Sequence, residues 1–147
     1  MTKWILSACA LTLLPGLYAE HSTGSGAQLT TAQIVAARVA RLTKLLTLTT
    51  AQQNSATTIF TTEQTALDAL ETNFTTAEKA LQTAIKANNA AGISTAATQI
   101  GNLTAQEELA KGTAEAAFYA LLTAEQKTLY DTLRLAGFDG HGPGGGH

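Results

Sequence analysis

His21, His141 and His147 are the three imidazoles of this 147-residue chain, and all of them lie near its ends. His141 and His147 are the only metal signal. Two imidazoles on a Gly-rich tether fall short of the ligands a tight zinc site needs, and ordering the tether opposes binding. The expectation is no required cofactor and, at most, weak zinc binding at His141 and His147. Glu63 and Glu107 fall on apolar helical faces, where a carboxylate pair would invite acid–base or metal chemistry. No Glu-x-x-His accompanies them, so they read as paired structural carboxylates. No Ser-His-Asp arrangement or Gly-rich phosphate loop sits in an ordered context, so the chain reads as a non-enzyme. Arg38, Arg41 and Lys44 step down one helical flank. They read either as a solvated face or as a stripe that contacts acidic clients.

The elements that would position these residues are announced by a pentad, Leu-Thr-x-x-Gln. It occurs as Leu29-Thr30-Thr31-Ala32-Gln33, Leu48-Thr49-Thr50-Ala51-Gln52 and Leu122-Thr123-Ala124-Glu125-Gln126. A shuffled chain of this composition would hold roughly 0.2 such pentads, so the repetition is real. Thr at an N-cap accepts from the amide three residues on, and Gln at that position reaches back to the N-cap amide. The preceding Leu can pack onto the first turn, as Leu29 onto Ile34. Leu29, Thr30, Gln33, Leu48, Thr49, Gln52, Leu122, Thr123 and Gln126 are therefore expected to be helix caps.

Residues 1–19 read as a secretory signal, with Lys3 near the start, an apolar run from Ile5 to Leu14, Pro15-Gly16, and a cleavage site after Ala19. The run is too short to span a bilayer permanently. Leu6-Ser7-Ala8-Cys9 has the form of a lipoprotein processing box, so lipidation of Cys9 is the alternative to simple cleavage. After cleavage no cysteine remains, which removes disulfides and thiol chemistry, and no stable membrane insertion is expected. Losing Lys3 takes the formal charge from −2 to −3, which argues against a nucleic-acid partner. The expected location is the periplasm.

Residues 20–28 read as a flexible leader and residues 29–137 as one helical domain. A first helix is expected from Thr31 to Leu46 and a second from Thr50 to Asn88. In the second, Phe60, Leu67, Phe74 and Leu81 recur every seven residues, with Leu70, Ala77 and Ala84 between them. Ile59, Ala66 and Ala80 are expected to widen that seam, Glu63 to interrupt it, and Thr57, Thr61, Thr65, Asp68, Thr72 and Thr75 to face away. Asn88-Asn89-Ala90-Ala91-Gly92 is the interior turn. A third helix capped by Ser94 should turn Ala97, Ile100, Leu103, Ala110, Ala114, Ala117, Phe118 and Leu121 inward, with Glu107 paired to Lys111. A short fourth helix should run from Ala124 to Ala136 and stop at Gly137. Residues 138–147 read as a disordered Gly/His tail. The fold class is all-α, four helices with two long central ones.

A leader, a short helix, a pentad before a long helix and another pentad between the last two helices resemble the Spy/CpxP family. These are periplasmic proteins named for the repeated motif. The likeness rests on Leu46-Thr47-Leu48-Thr49-Thr50-Ala51-Gln52-Gln53 and Leu121-Leu122-Thr123-Ala124-Glu125-Gln126-Lys127. It implies an elongated, cradle-like antiparallel homodimer and an ATP-independent holding chaperone for unfolded envelope proteins. The alternative it implies is a metal-responsive sensor or regulator of an envelope-stress two-component system, with a membrane sensor kinase as partner. The family's chaperone namesake is basic, whereas this mature chain is slightly acidic, and the Leu29 pentad is an extra copy. A dimer also follows from shape: so long a seam on a thin layer leaves one face for a second subunit.

Overall fold

The computed structural model describes residues 29–137. The expected signal segment, leader and Gly/His tail, with Cys9, His21, His141 and His147, lie outside them. Four helices and no strand make up the described residues: α1 (Thr31–Leu46), α2 (Thr50–Lys86), α3 (Ala90–Leu121) and α4 (Ala124–Leu135). None of these helices is long and apolar enough to cross a membrane.

The pentads start three of the four. Thr30, Thr49 and Thr123 are the N-caps of α1, α2 and α4, each in extended backbone and each closing a full capping box with its Gln. In each box the Thr hydroxyl accepts from the Gln amide nitrogen at 3.3 Å. The Gln carbonyl in turn accepts from the Thr backbone N–H at 2.8–2.9 Å. Two amides that would otherwise be orphaned at each helix start are satisfied reciprocally.

The helix ends differ in kind. α2 stops two residues earlier than the sequence suggests, because Asn88 turns left-handed at φ 49°. Asn88 N–H donates to the Ile85 carbonyl at 3.0 Å and Asn89 N–H to the Ala84 carbonyl at 2.9 Å, a closure that caps the last carbonyls of the helix. Asn89 then caps α3, accepting from Gly92 N–H at 3.0 Å. Ser94, the expected cap, lies inside the helix. Gly92 belongs to the first turn of α3 rather than to a loop, and a Cβ there would stand 3.0 Å from Ala84 Cβ. Glycine lets the two long helices approach at their turn. α4 closes at Gly137 with φ 85°, where a left-handed residue favours glycine.

α2, with 37 residues, is ~55 Å long, and α3 returns antiparallel beside it. α1 folds back along the first half of α2, where Thr31 Oγ1 donates to Asp68 Oδ2 at 2.7 Å and Arg38 meets Glu63. α4 folds back on the end of α3, where Tyr119 Oη donates to Asp131 Oδ2 at 3.0 Å. One end of the hairpin is therefore four helices thick. From residue 69 to the turn, a length of ~27 Å, it stands as two.

The core lies at the thick end. Val35, Val39, Leu42, Leu46, Leu48, Ala56, Phe60, Phe118, Leu122 and Tyr130 form one buried cluster. Phe60 and Phe118 have ring centroids 5.2 Å apart, and Phe118 meets Tyr130 edge-on at 5.6 Å. In the thin half, Ala77, Ala84, Ala96 and Leu103 are buried, while Leu70, Phe74 and Leu81 are half-buried. Ala66, Ala80, Ala97 and Ala117 are exposed, against expectation. A two-helix contact is too narrow to cover the flanks of a seam, so Ala80 and Ala97 fall outside it, while Ala66 and Ala117 lie on the outer side of the thick end.

Candidate functional site

The polar features of the thick end grow out of the caps. Gln52 and Gln126 have side-chain nitrogens left over once their carbonyls are used in the boxes. Gln52 Nε2 donates to Gln126 Oε1 at 2.7 Å and to the Leu121 carbonyl at 2.9 Å. Gln126 Nε2 donates to Gln52 Oε1 at 3.2 Å and to the Leu46 carbonyl at 3.1 Å. The α1–α2 and α3–α4 turns are thereby tied together by a reciprocal amide pair that also caps the last carbonyls of α1 and α3. Leu48 and Leu122 beneath it are both 5% exposed. The first pentad makes the same box without a counterpart, and its Leu29 is 62% exposed where Leu48 and Leu122 are buried.

Glu63 is buried in the middle of the α2 seam, at 3% exposure. A carboxylate there requires a cation, and α1 supplies one. Arg38 Nη1 donates to Glu63 Oε2 at 2.6 Å, and the guanidinium lies 3.7 Å above the Phe60 ring. The Arg38 side chain keeps only 13% of its exposure. This takes Arg38 out of the expected surface stripe, because its charge is spent inside the fold. Arg41 is half-buried and Lys44 exposed. The other expected carboxylate, Glu107, pairs with Lys111 at 2.6 Å on the α3 surface. That hydrogen bond raises the Lys111 pKa, with Glu108 adding to it against the opposing effect of burial.

A third cluster joins α3 to α4. Tyr130 Oη donates to Glu115 Oε1 at 3.3 Å, and Glu115 also pairs with Arg134. Burial first, and the Glu115 charge second, push the Tyr130 hydroxyl up to about 12. The hydrogen bond to Asp131 raises Tyr119 in the same direction, and Lys127 lies 5.1 Å from the Tyr119 ring centre. Glu125 is held below its usual range by its own backbone amide and the Thr123 hydroxyl. Gly112, Glu115, Ala116, Tyr119, Asp131 and Arg134 line an open depression of about 350 Å³, whose polar groups bond to one another. No three His, Cys, Asp or Glu side chains among the described residues come together as a metal site.

The remaining feature is apolar. Ile85 at 55%, Leu109 at 70%, Leu129 at 43% and Leu135 at 91% stand exposed. Compared with family models, with curated proteins and with solved structures, the chain matches none of them.

Proposed function

We propose that this protein is an ATP-independent holding chaperone of the Spy/CpxP type, which shields unfolded or aggregation-prone segments of envelope proteins and acts as a homodimer. The observation that carries the reading is the thin half of the α2–α3 hairpin. Among the described residues, no third helix stands over its half-buried Phe74 and Leu81 and its exposed Ile85, and Leu109 adds an outlying apolar group.

The surface chemistry fits weak, sequence-tolerant capture. Along α2, Thr57, Thr58, Thr62, Thr65, Thr76 and Thr83 each donate their hydroxyl to the carbonyl four residues earlier, at 2.8–3.3 Å. A hydroxyl held by its own backbone competes less for water, so this exposed face is more apolar than its composition. Such a surface offers many small contacts and few strong anchors, which favours fast release without nucleotide.

Purified protein without nucleotide should suppress aggregation of a reduced or chemically unfolded client at near-stoichiometric ratios, read by light scattering. Replacing Ile85 and Leu109 together by Ser should leave helical content unchanged and weaken suppression several-fold. Failure of the folded wild type to protect several unrelated clients would sink the reading.

A further inference from the structure

We propose that the groove on α2 filled by α1 is an exchangeable binding site, with α1 as its resident occupant. Its external ligand is an amphipathic helical segment of a client, bearing an Arg or Lys beside an apolar stripe. The proposal deepens the holding reading and rests on it for the source of that segment.

The chemistry of the ligand is written in the occupant. α1 buries Val35, Val39, Leu42 and Leu46, which follow one another at four, three and four residues and so form one helical stripe. Arg38, adjacent to that stripe, reaches the Glu63 carboxylate and covers the Phe60 ring. The groove thus selects for two things together, an apolar ridge and a flat or compact cation placed over a buried acid. An apolar helix without a cation would leave the Glu63 charge without its Arg38 partner, and a solvated cation without a ridge would leave Phe60 uncovered.

Three features show that α1 is held under tension. Its C-cap, Thr47, sits at φ 54°, ψ 51°, a left-handed conformation that a β-branched residue adopts only at a cost. Just Thr47, Leu48 and Thr49 separate α1 from α2, so that strain falls on the hinge itself and relaxes when α1 swings away. Two polar atoms that α1 buries, Arg38 Nε and Thr43 Oγ1, have no hydrogen-bond partner among the described residues, and such atoms gain fuller access to water on release. Docking of α1 is therefore weaker than its apolar contacts alone would make it. An external helix without the strained hinge competes from a favourable position, and its apparent affinity scales with the fraction of open molecules.

The test uses the full chain carrying Cys9→Ser and a fluorescent peptide of residues 30–47 as the probe ligand. Hydrogen exchange should show α1 amides opening well before those around Phe60 and Phe118. Thr47→Gly, which relaxes the hinge, should slow α1 exchange and weaken peptide binding, each by roughly five- to ten-fold. A cystine between Thr31→Cys and Asp68→Cys should abolish peptide binding with helical content unchanged. A peptide with Arg38→Gln should bind at least ten-fold more weakly. Protection of α1 equal to that of the hairpin core, or peptide binding that survives the cystine, would overturn the proposal. So would a concentration-dependent dimer that the cystine abolishes, since the groove would then trade α1 between copies rather than accept clients. If the peptide exchanges as expected but no client is protected from aggregation, the groove stands and the holding function falls.

Discussion

The two ends of the α2–α3 hairpin are built from the same two helices and solve burial in opposite ways. At the thick end Phe60 and Phe118 are each 1% exposed, and two more helices are needed to achieve this. At the turn, Ala77, Ala84 and Ala96 are buried at 1%, 8% and 3% with only two helices present. Small side chains let helices approach until they cover each other, and Gly92 carries that to its limit. Large ones push neighbours apart and demand further layers. Side-chain size along α2 therefore decides how many layers stand over each part of it. Leu70, Phe74, Leu81 and Ile85 are the exceptions, large residues placed where no third layer stands among the described residues.

Truncation of the aromatics tests that contrast most strongly. Phe60→Ala should cost ~3–5 kcal/mol in urea unfolding, as for a fully packed aromatic core position. Phe74→Ala, half-buried at the thin end, should cost about 1–2 kcal/mol. Equal losses would break the comparison.

Alkali should act on the thick end alone. Tyr130 titrates near 10 when unfolded and is pushed up to about 12 in the fold. Its contribution is thus fully present below pH 10 and is lost as pH rises from 10 through 12, worth about 1–2 kcal/mol once solvent screening is allowed for. Phenolate absorbance and hydrogen exchange followed together should show α4 loosening across that window while the amides around Ala77 and Ala84 keep their protection. Loosening that begins at the turn would contradict the placement of the core.

The smallest effect separates the pentads. Gln126→Ala removes a capping box and the bond to Gln52, and should cost ~1–2 kcal/mol of thermal or urea stability. Gln33→Ala removes a box alone and should cost about 0.5 kcal/mol.

Much of this architecture is legible in the sequence because capping is local chemistry. The Thr and Gln of each pentad meet across three residues whatever the rest of the chain does, so Thr30, Thr49 and Thr123 mark their helices at sight. What sequence reading misses depends on distant partners. Asn88-Asn89-Ala90-Ala91-Gly92 reads as a loop because Gly and Asn favour turns, yet Asn89 caps α3 and Gly92 lies in its first turn, close against Ala84. Arg38 reads as part of a surface flank until Glu63, 25 positions away, is seen to need it. Nothing within either pentad shows that Gln52 and Gln126 will bond to each other.

The Gln52–Gln126 pair joins positions 74 apart, which sets its place in the order of assembly. The turn at Asn88 closes the shortest loop between the long helices, and contacts can zip outward from it, each step costing little extra chain entropy. The two amides meet only when α2 and α3 are in register along their whole length, since a slip of one residue would carry each away from the other's carbonyl. Their bond is therefore a check on register, made only by a hairpin aligned from end to end.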